Sequence, residues 1–454
     1  MNAIPSSFAR KKSFGLALLG LAVSAAALPA AAAESGFIED TKATLNFRNY
    51  YFDRNFVDNG RSIAQPGTTN RGAAQEWTQA FILDAKSGFT QGTVGFGVDV
   101  LGMFAVKLDG GRGTYGTQLL PVHDGNHPAD NFGRLGVAGK VKLSKTELKV
   151  GEWMPVLPIL RSDDGRSLPQ TFQGAQITSK DIDNTTLYAG SFNRNSQRND
   201  ASMERMSLNN ADRVVHGSPS VNGDHFNFAG AEYTFNDKRT LVGAWYGQLE
   251  DVYNQKYFQI LHSQPIADGI TAGANIGYFV GESDGDGLAD NLSNTGVKNQ
   301  QNRTMSGLFS LKVGFNTFYV GLQKVTGNAG WQRISGTSGG TLANDSYGWS
   351  YDMEDEKSWQ VRHDYDFAGW GIPGLTIMNR FIEGTDVNFQ SSATNRVTNG
   401  EDRGRETELA YVIQSGTFKS LSVRWRNSTL RRDYGATNSF NENRLIFNYP
   451  LSLL

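Results

Sequence analysis

Residues 421–428 read "LSVRWRNS". Leu421, Val423 and Trp425 fall on one parity and Ser422, Arg424, Arg426 and Ser428 on the other, the period of two that separates the faces of a β-strand. One face suits lipid or a core, and the other, with two arginines, needs water. A soluble sandwich also offers one wet face, so the stretch by itself establishes only a half-solvated strand.

The same alternation recurs at both ends of the chain. In "TKATLNFRNYYFDR" (41–54), Ala43, Leu45, Phe47 and Tyr51 alternate with Lys42, Thr44, Asn46, Arg48 and Arg54. Near the C-terminus Leu445, Phe447, Tyr449 and Leu451 oppose Arg444, Asn448 and Ser452, with Ile446 as the exception. "TLVGAWYGQL" (240–249) fits either parity.

Connections between such segments are of two kinds. Short ones, "FNDKRT" (235–240), "GFNT" (314–317) and "GWGIPGL" (369–375), alternate with long polar ones, "GESDGDGLADNLSNTGVKNQQNRT" (281–304) and "TGNAGWQRISGTSGGTLANDSYGWS" (326–350). Short turns at one end and long loops at the other describe an all-β, antiparallel up-and-down transmembrane β-barrel. Fifty-two glycines and 11% aromatic residues fit that class. A β-propeller would show a repeat of blade length, and none is visible.

The N-terminus supplies an address. Arg10, Lys11 and Lys12 precede an apolar run from Phe14 to Leu28 and the small-residue stretch "ALPAAAAESG", the plan of a secretory signal peptide over residues 1–33. The run is shorter than the roughly 20 apolar residues of a spanning helix. Without it, 40 basic groups face 45 acidic ones, a balance that argues against nucleic acid as a partner. An exported chain without cysteine has no disulfide framework. Residues 34–454 show no linker, so they are expected to form one barrel domain.

Arginine placement carries the functional reading. A lipid-facing Arg near the bilayer midplane costs about 2–4 kcal/mol, so Arg48, Arg362, Arg380, Arg424, Arg426 and Arg444 are expected to face the lumen. Guanidinium groups in a row offer a carboxylate successive partners of similar strength. The chain length allows 16 or 18 strands, wide enough for an aqueous pore.

One segment is too charged for a turn and too proline-rich for a strand: "PVLPILRSDDGRSLP" (155–169), with Pro155, Pro158 and Pro169. Folded inward it would place Arg161, Asp163, Asp164 and Arg166 in the path of a solute, and the aspartates would receive an ammonium group. Composition alone leaves an inward constriction and an ordinary surface loop both open.

At this point the chain resembles the OprD family, the substrate-specific outer-membrane porins of pseudomonads typified by a channel for basic amino acids and carbapenems. The likeness rests on "GFIEDTKATLNFRNYYFDR", "EWTQAFILDAKSGFTQGTVGFGVDVLG", "LLPVHD", "LSKTELKVGEWMPVLPILRSDDGRSLPQTFQGAQITS", "EKSWQVRHDYDFAGWGIPGLTIMNRFIEGTDV" and "NRLIFNYPLSLL", spread over the whole mature chain. The resemblance implies an 18-stranded barrel with a monomeric pore, a third extracellular loop folded into the lumen, and a ladder of basic residues guiding carboxylates. It places Arg424, Arg426, Arg444 and Arg403 on that ladder and Arg161 on the constricting loop. A Gram-negative outer membrane and its lipid are the implied surroundings, and trimeric association stays open.

Enzyme-like motifs do not compete with this reading. "GESDG" (281–285) and "GTSGG" (336–340) match a nucleophile pattern but lie in glycine-rich loops without a strand–turn–helix context. "GRGTYG" (111–116) is followed by no helix, and "DGDGLADN" (284–291) puts Leu288 where a calcium ligand belongs. No catalytic constellation, metal or cofactor is expected. The function expected is selective diffusion of small carboxylates, amino acids or aromatic and aliphatic acids; a general diffusion porin, and beyond it an outer-membrane enzyme or adhesin, are the alternatives.

Overall fold

The computed structural model describes residues 36–57, 72–123, 125–209, 221–288, 299–392, 395–434 and 439–454. The signal peptide expected over residues 1–33 lies outside them. Eighteen strands form one closed sheet. In chain order these are β1 Lys42–Phe56, β2 Ala73–Lys86, β3 Val94–Asp109, β4 Asn131–Leu143, β5 Thr146–Trp153 and β6 Thr171–Ser179. They continue with β7 Thr185–Ser196, β8 Phe226–Phe235, β9 Thr240–Leu249, β10 Tyr253–Ala267, β11 Ile270–Ser283 and β12 Gln301–Val313. The last six are β13 Asn316–Gly327, β14 Lys357–Asp366, β15 Leu375–Ser392, β16 Asn395–Val412, β17 Ser422–Arg432 and β18 Phe440–Ser452.

Each strand pairs antiparallel with the next, and β1 closes the barrel on β18, from Thr44 opposite Ser452 to Phe56 opposite Phe440. Closure leaves no edge strand with unpaired backbone groups, which is what lets a sheet cross lipid. The turn after β10 shows the local chemistry: Asp268–Gly269 joins it to β11, and Gly269 takes φ +68°, a conformation that favours glycine. Both ends of the barrel chain lie at the short-turn end, so the long loops are extracellular.

The alternation read from the sequence sets the two faces. Trp425, Leu445 and Leu409 line up on the outside, and Arg424, Arg426 and Arg444 face inward. Ile446 breaks the pattern of β18 because it faces inward too and is buried there among Tyr50, Phe52, Leu120 and Leu168. The ambiguous β9 directs Trp245 inward, where its ring lies across Gly230 of β8; a Cβ at that glycine would sit 2.2 Å from the indole.

The buried apolar residues are therefore inside the barrel at its extracellular half, not in a layer beneath the sheet. Phe172, Phe192, Phe226, Phe228, Trp245, Leu249, Tyr257 and Phe279 line one wall. They are covered by side chains from loops that fold inward, chiefly those after β5 and β13, joined by Met206 and Leu208 of the β7–β8 connection. Burying a Leu or Phe side chain is worth about 1.5–3 kcal/mol, so this wall is a strong anchor.

Candidate functional site: a two-loop constriction

Residues 154–170 follow β5 into the lumen, the inward path that the family resemblance implies for this segment. Pro155 accepts a backbone bond from Ser162 at 3.0 Å, and Val156–Leu157 pairs with Leu160–Arg161 in a short hairpin. Leu157, Ile159 and Leu160 pack on the apolar wall. The loop then reaches the opposite side. Asp164 receives Arg48 of β1 at 2.7 and 3.1 Å, the Tyr50 hydroxyl donates to the Gly165 carbonyl at 3.1 Å, and Ser167 shares a 2.7 Å bond with Thr78. Leu168 is buried against the wall of β1–β4.

The charges of this loop are thereby spent internally. Asp163 pairs with Arg198 at 2.8 Å. Burial works to raise the Asp163 carboxyl, but Arg198 and Arg166 outweigh it and hold the group below its ordinary value. Arg166 is buried, donates from Nε to the Thr117 carbonyl at 2.8 Å and lies over the Phe52 ring at 5.2 Å. Burial, with Arg198 and Arg444 close by, pushes that guanidinium well below its usual value. The expectation that both aspartates wait for an ammonium group is corrected here: each carboxylate already has an arginine. Arg161 is exposed and has no ion pair among the described residues; its backbone carbonyl accepts from Ser338 at 3.0 Å.

That Ser338 belongs to a second inward loop, residues 328–356, whose sequence has the composition of a long polar connection. Trp331, Ile334 and Leu342 join the apolar wall, and the Tyr347 hydroxyl donates to Thr407 and Asn427 carbonyls at 3.1 and 3.2 Å. Tyr347 is a hub: Arg426, Arg444 and Arg380 lie 4.7, 5.3 and 5.9 Å from its ring. Arg444 donates to its carbonyl at 2.5 Å. The sequence signal was there in the spacing of Trp331, Tyr347, Trp349 and Tyr351, too aromatic for a solvated loop.

This second loop divides the expected ladder. Arg380 and Arg444 do point inward but are buried, Arg380 against Glu406 and the Asp345 carbonyl, Arg444 against Glu442 at 2.5 Å. They hold the loop and present no free charge. Arg403 is a correction of a different kind: it stands on the outer face of β16, between the inward Asp402 and Gly404, and pairs with Glu383 and Glu401 at 2.8 and 3.0 Å.

Arg424, Arg426 and Arg362 remain partly exposed to the lumen. Arg424 and Arg426 reach the same carboxylate, Glu408 of β16, at 3.3 and 2.5 Å. Two guanidiniums on one carboxylate leave a net positive charge and unused donors facing water. Arg362 pairs with Asp364 at 2.6 Å and lies over Tyr319 at 4.8 Å. A cavity of about 450 Å³ toward the short-turn end is lined by Arg362, Asp364, Lys312, Thr317, Met378 and Glu408, so these groups share one space. Across the barrel, Lys140 and Lys149 share Asp99 at 2.7 and 2.5 Å, lumenal cations that the arginine-based reading missed. Among the described residues no group of His, Cys, Asp and Glu is arranged to hold a metal.

A barrel of this size with an interior narrowed by two loops and edged with cations agrees with a family model described as "outer membrane porin, OprD family", which matches residues 35–453. The chain belongs to the OprD family. The porin-like protein GalP of Pseudomonas putida is 57% identical over 430 residues, covering 95% of this chain and 96% of that protein. The crystal structure of a BenF-like porin from Pseudomonas fluorescens Pf-5 is 59% identical, with a TM-score of 0.83 over 92% of this chain and 100% of the other. That of Pseudomonas aeruginosa OccK2 (OpdF) in complex with glucuronate is 52% identical, with a TM-score of 0.80 over the same shares. This OprD-family chain is thus a substrate-specific channel of the Gram-negative outer membrane, and its relatives are porins rather than enzymes.

Proposed function

We propose that this channel takes up small organic acids bearing one carboxylate, and that Arg424, Arg426, Arg362 and the loop residue Arg161 pass the carboxylate along the lumen. The carrying observation is the shared Glu408: two guanidiniums compete for one internal carboxylate, so a second carboxylate, from the solute, finds donors already aimed at it. Arg362 beside Asp364 offers a similar arrangement nearer the exit. Sites of comparable strength allow a solute to move on instead of staying bound.

Loop chemistry favours acids over cationic amino acids. Asp163 and Asp164 are occupied by Arg198 and Arg48, so neither is left free for an ammonium group. Glucuronate, carried by the OccK2 complex, is a carboxylate without an amine. Swelling of proteoliposomes with glucuronate, an aromatic carboxylate, lysine and a neutral hexose tests the reading. Both acids should enter faster than the hexose and than lysine; equal rates for all four would make this a general diffusion pore.

A further inference from the structure

We propose that the extracellular rim of the outer face, over β10 to β14, is a docking surface for a phosphorylated anionic headgroup of outer-leaflet lipid. Lys256, Arg303, Lys324 and Lys357 are all exposed and all outward. Each lies two residues beyond an exposed apolar side chain on its own strand, Phe258, Met305, Leu322 and Trp359 in turn. That offset repeats on four strands, so apolar and cationic bands run in parallel around this side of the barrel.

Registers make the cationic band continuous. Lys256 and Arg303 both stand opposite Val280 of β11, Arg303 faces Thr326, and Lys324 faces Lys357 directly. With strands about 4.8 Å apart, the band spans about 19 Å. Like charges directly opposed across two strands are destabilising unless an anion lies between them. Of the four cations, Lys357 alone has an acidic partner in contact among the described residues. Asp386 binds Lys357 at 2.5 Å, and the outward Glu282 faces Gln301, which leaves Arg303, Lys324 and Lys256 without a carboxylate in the described structure.

Position selects the partner. These side chains are on the face opposite the lumen and cannot meet the solute. Their aliphatic stems lie along residues that touch hydrocarbon, so their charged ends emerge at headgroup level. Polyanionic headgroups are the chemistry met there.

The test uses full-length porin in detergent and native mass spectrometry with bisphosphorylated lipid A, dephosphorylated lipid A and inorganic phosphate. The parent should retain the bisphosphorylated form preferentially, and R303Q/K324Q should bind it about thirty-fold more weakly, at about 1 kcal/mol per cation. Heat-modifiable migration and carboxylate flux should be unchanged. Should the double variant fail to fold, K324Q alone should lose about fivefold. Equal retention of the two lipid forms by the parent, unchanged binding by the variant, or displacement of the lipid by inorganic phosphate would overturn the proposal.

Discussion

Arg48 of the first strand grips Asp164 of the constricting loop with both terminal guanidinium nitrogens, at 2.7 and 3.1 Å. The same arginine donates to the Arg166 carbonyl at 2.9 Å, so one side chain fixes the far edge of the loop to the wall it crosses to. The near edge is held differently, by Leu157, Ile159 and Leu160 on the apolar wall. A loop tied at both edges can set a pore width.

Arg48→Gln should release that far edge. Charge-assisted bonds of this kind contribute about 1.5–3 kcal/mol, less here because the Asp164 side chain is 45% exposed. Planar-bilayer recordings should show larger single-channel conductance and more frequent gating steps, with unchanged heat-modifiable migration. A conductance equal to the parent's would mean that the apolar edge alone positions the loop.

The second loop contributes a pH dependence. Burial raises the Asp345 carboxyl to about 7 against the pull of Arg333, a 2.9 Å bond from Ser350 and the charge of Arg380, with Asp352 adding to the rise. A carboxyl raised in the folded state binds its proton more tightly there than in the released loop, so docking is favoured in acid and weakens as pH climbs from the ordinary carboxylate value through 7. The slope is at most about 1.4 kcal/mol per pH unit in that window. Open-channel noise should therefore rise between pH 6 and pH 8, and Asp345→Asn should flatten the profile at its acid-side level. A parent with the same noise at both pH values would remove Asp345 from loop docking.

Arg444→Gln addresses the buried anchor. Arg444 and Glu442 are each 1% exposed, and removing one partner of such a pair costs about 3–5 kcal/mol, moderated here because Arg54 also binds Glu442. The heat-modification temperature should fall measurably. An unshifted temperature would place the lumenal network outside the stability of the barrel.

How far the sequence could be read depended on whether one face was dry. On β17 and β18, lipid forces Trp425 and Leu445 outward, and the inward arginines follow from parity. Near the rim both faces carry charge: Glu401, Asp402 and Arg403 follow in succession, so alternation gives no signal there, and the family resemblance alone assigns the outward Arg403 to the ladder. The loop aspartates failed for another reason. Their partners, Arg48 and Arg198, are brought to them only by barrel closure, which no local pattern encodes. Burial of Arg380 and Arg444 likewise follows from Tyr347, a residue of a loop whose inward path is a tertiary fact.

The ladder itself is tested at Glu408. Because Arg424 and Arg426 share this carboxylate, its removal and theirs should act in opposite directions. Glu408→Gln frees both guanidiniums on a hydrated wall, where no lipid-facing position changes, so the barrel should fold. A solute carboxylate then meets two unpaired arginines, and each charge-assisted bond gained is worth about 1.5–3 kcal/mol before solvent screening. Residence should lengthen, seen as longer blockades by glucuronate in single-channel records and a lower concentration for half-maximal flux. R424Q/R426Q should do the reverse, with blockades shortened and carboxylate flux reduced about tenfold, for roughly 1.4 kcal/mol of lost attraction. Hexose flux should be the same in both. If the two variants shift glucuronate blockades in the same direction, the pair acts through the wall's structure and not as a step for the solute.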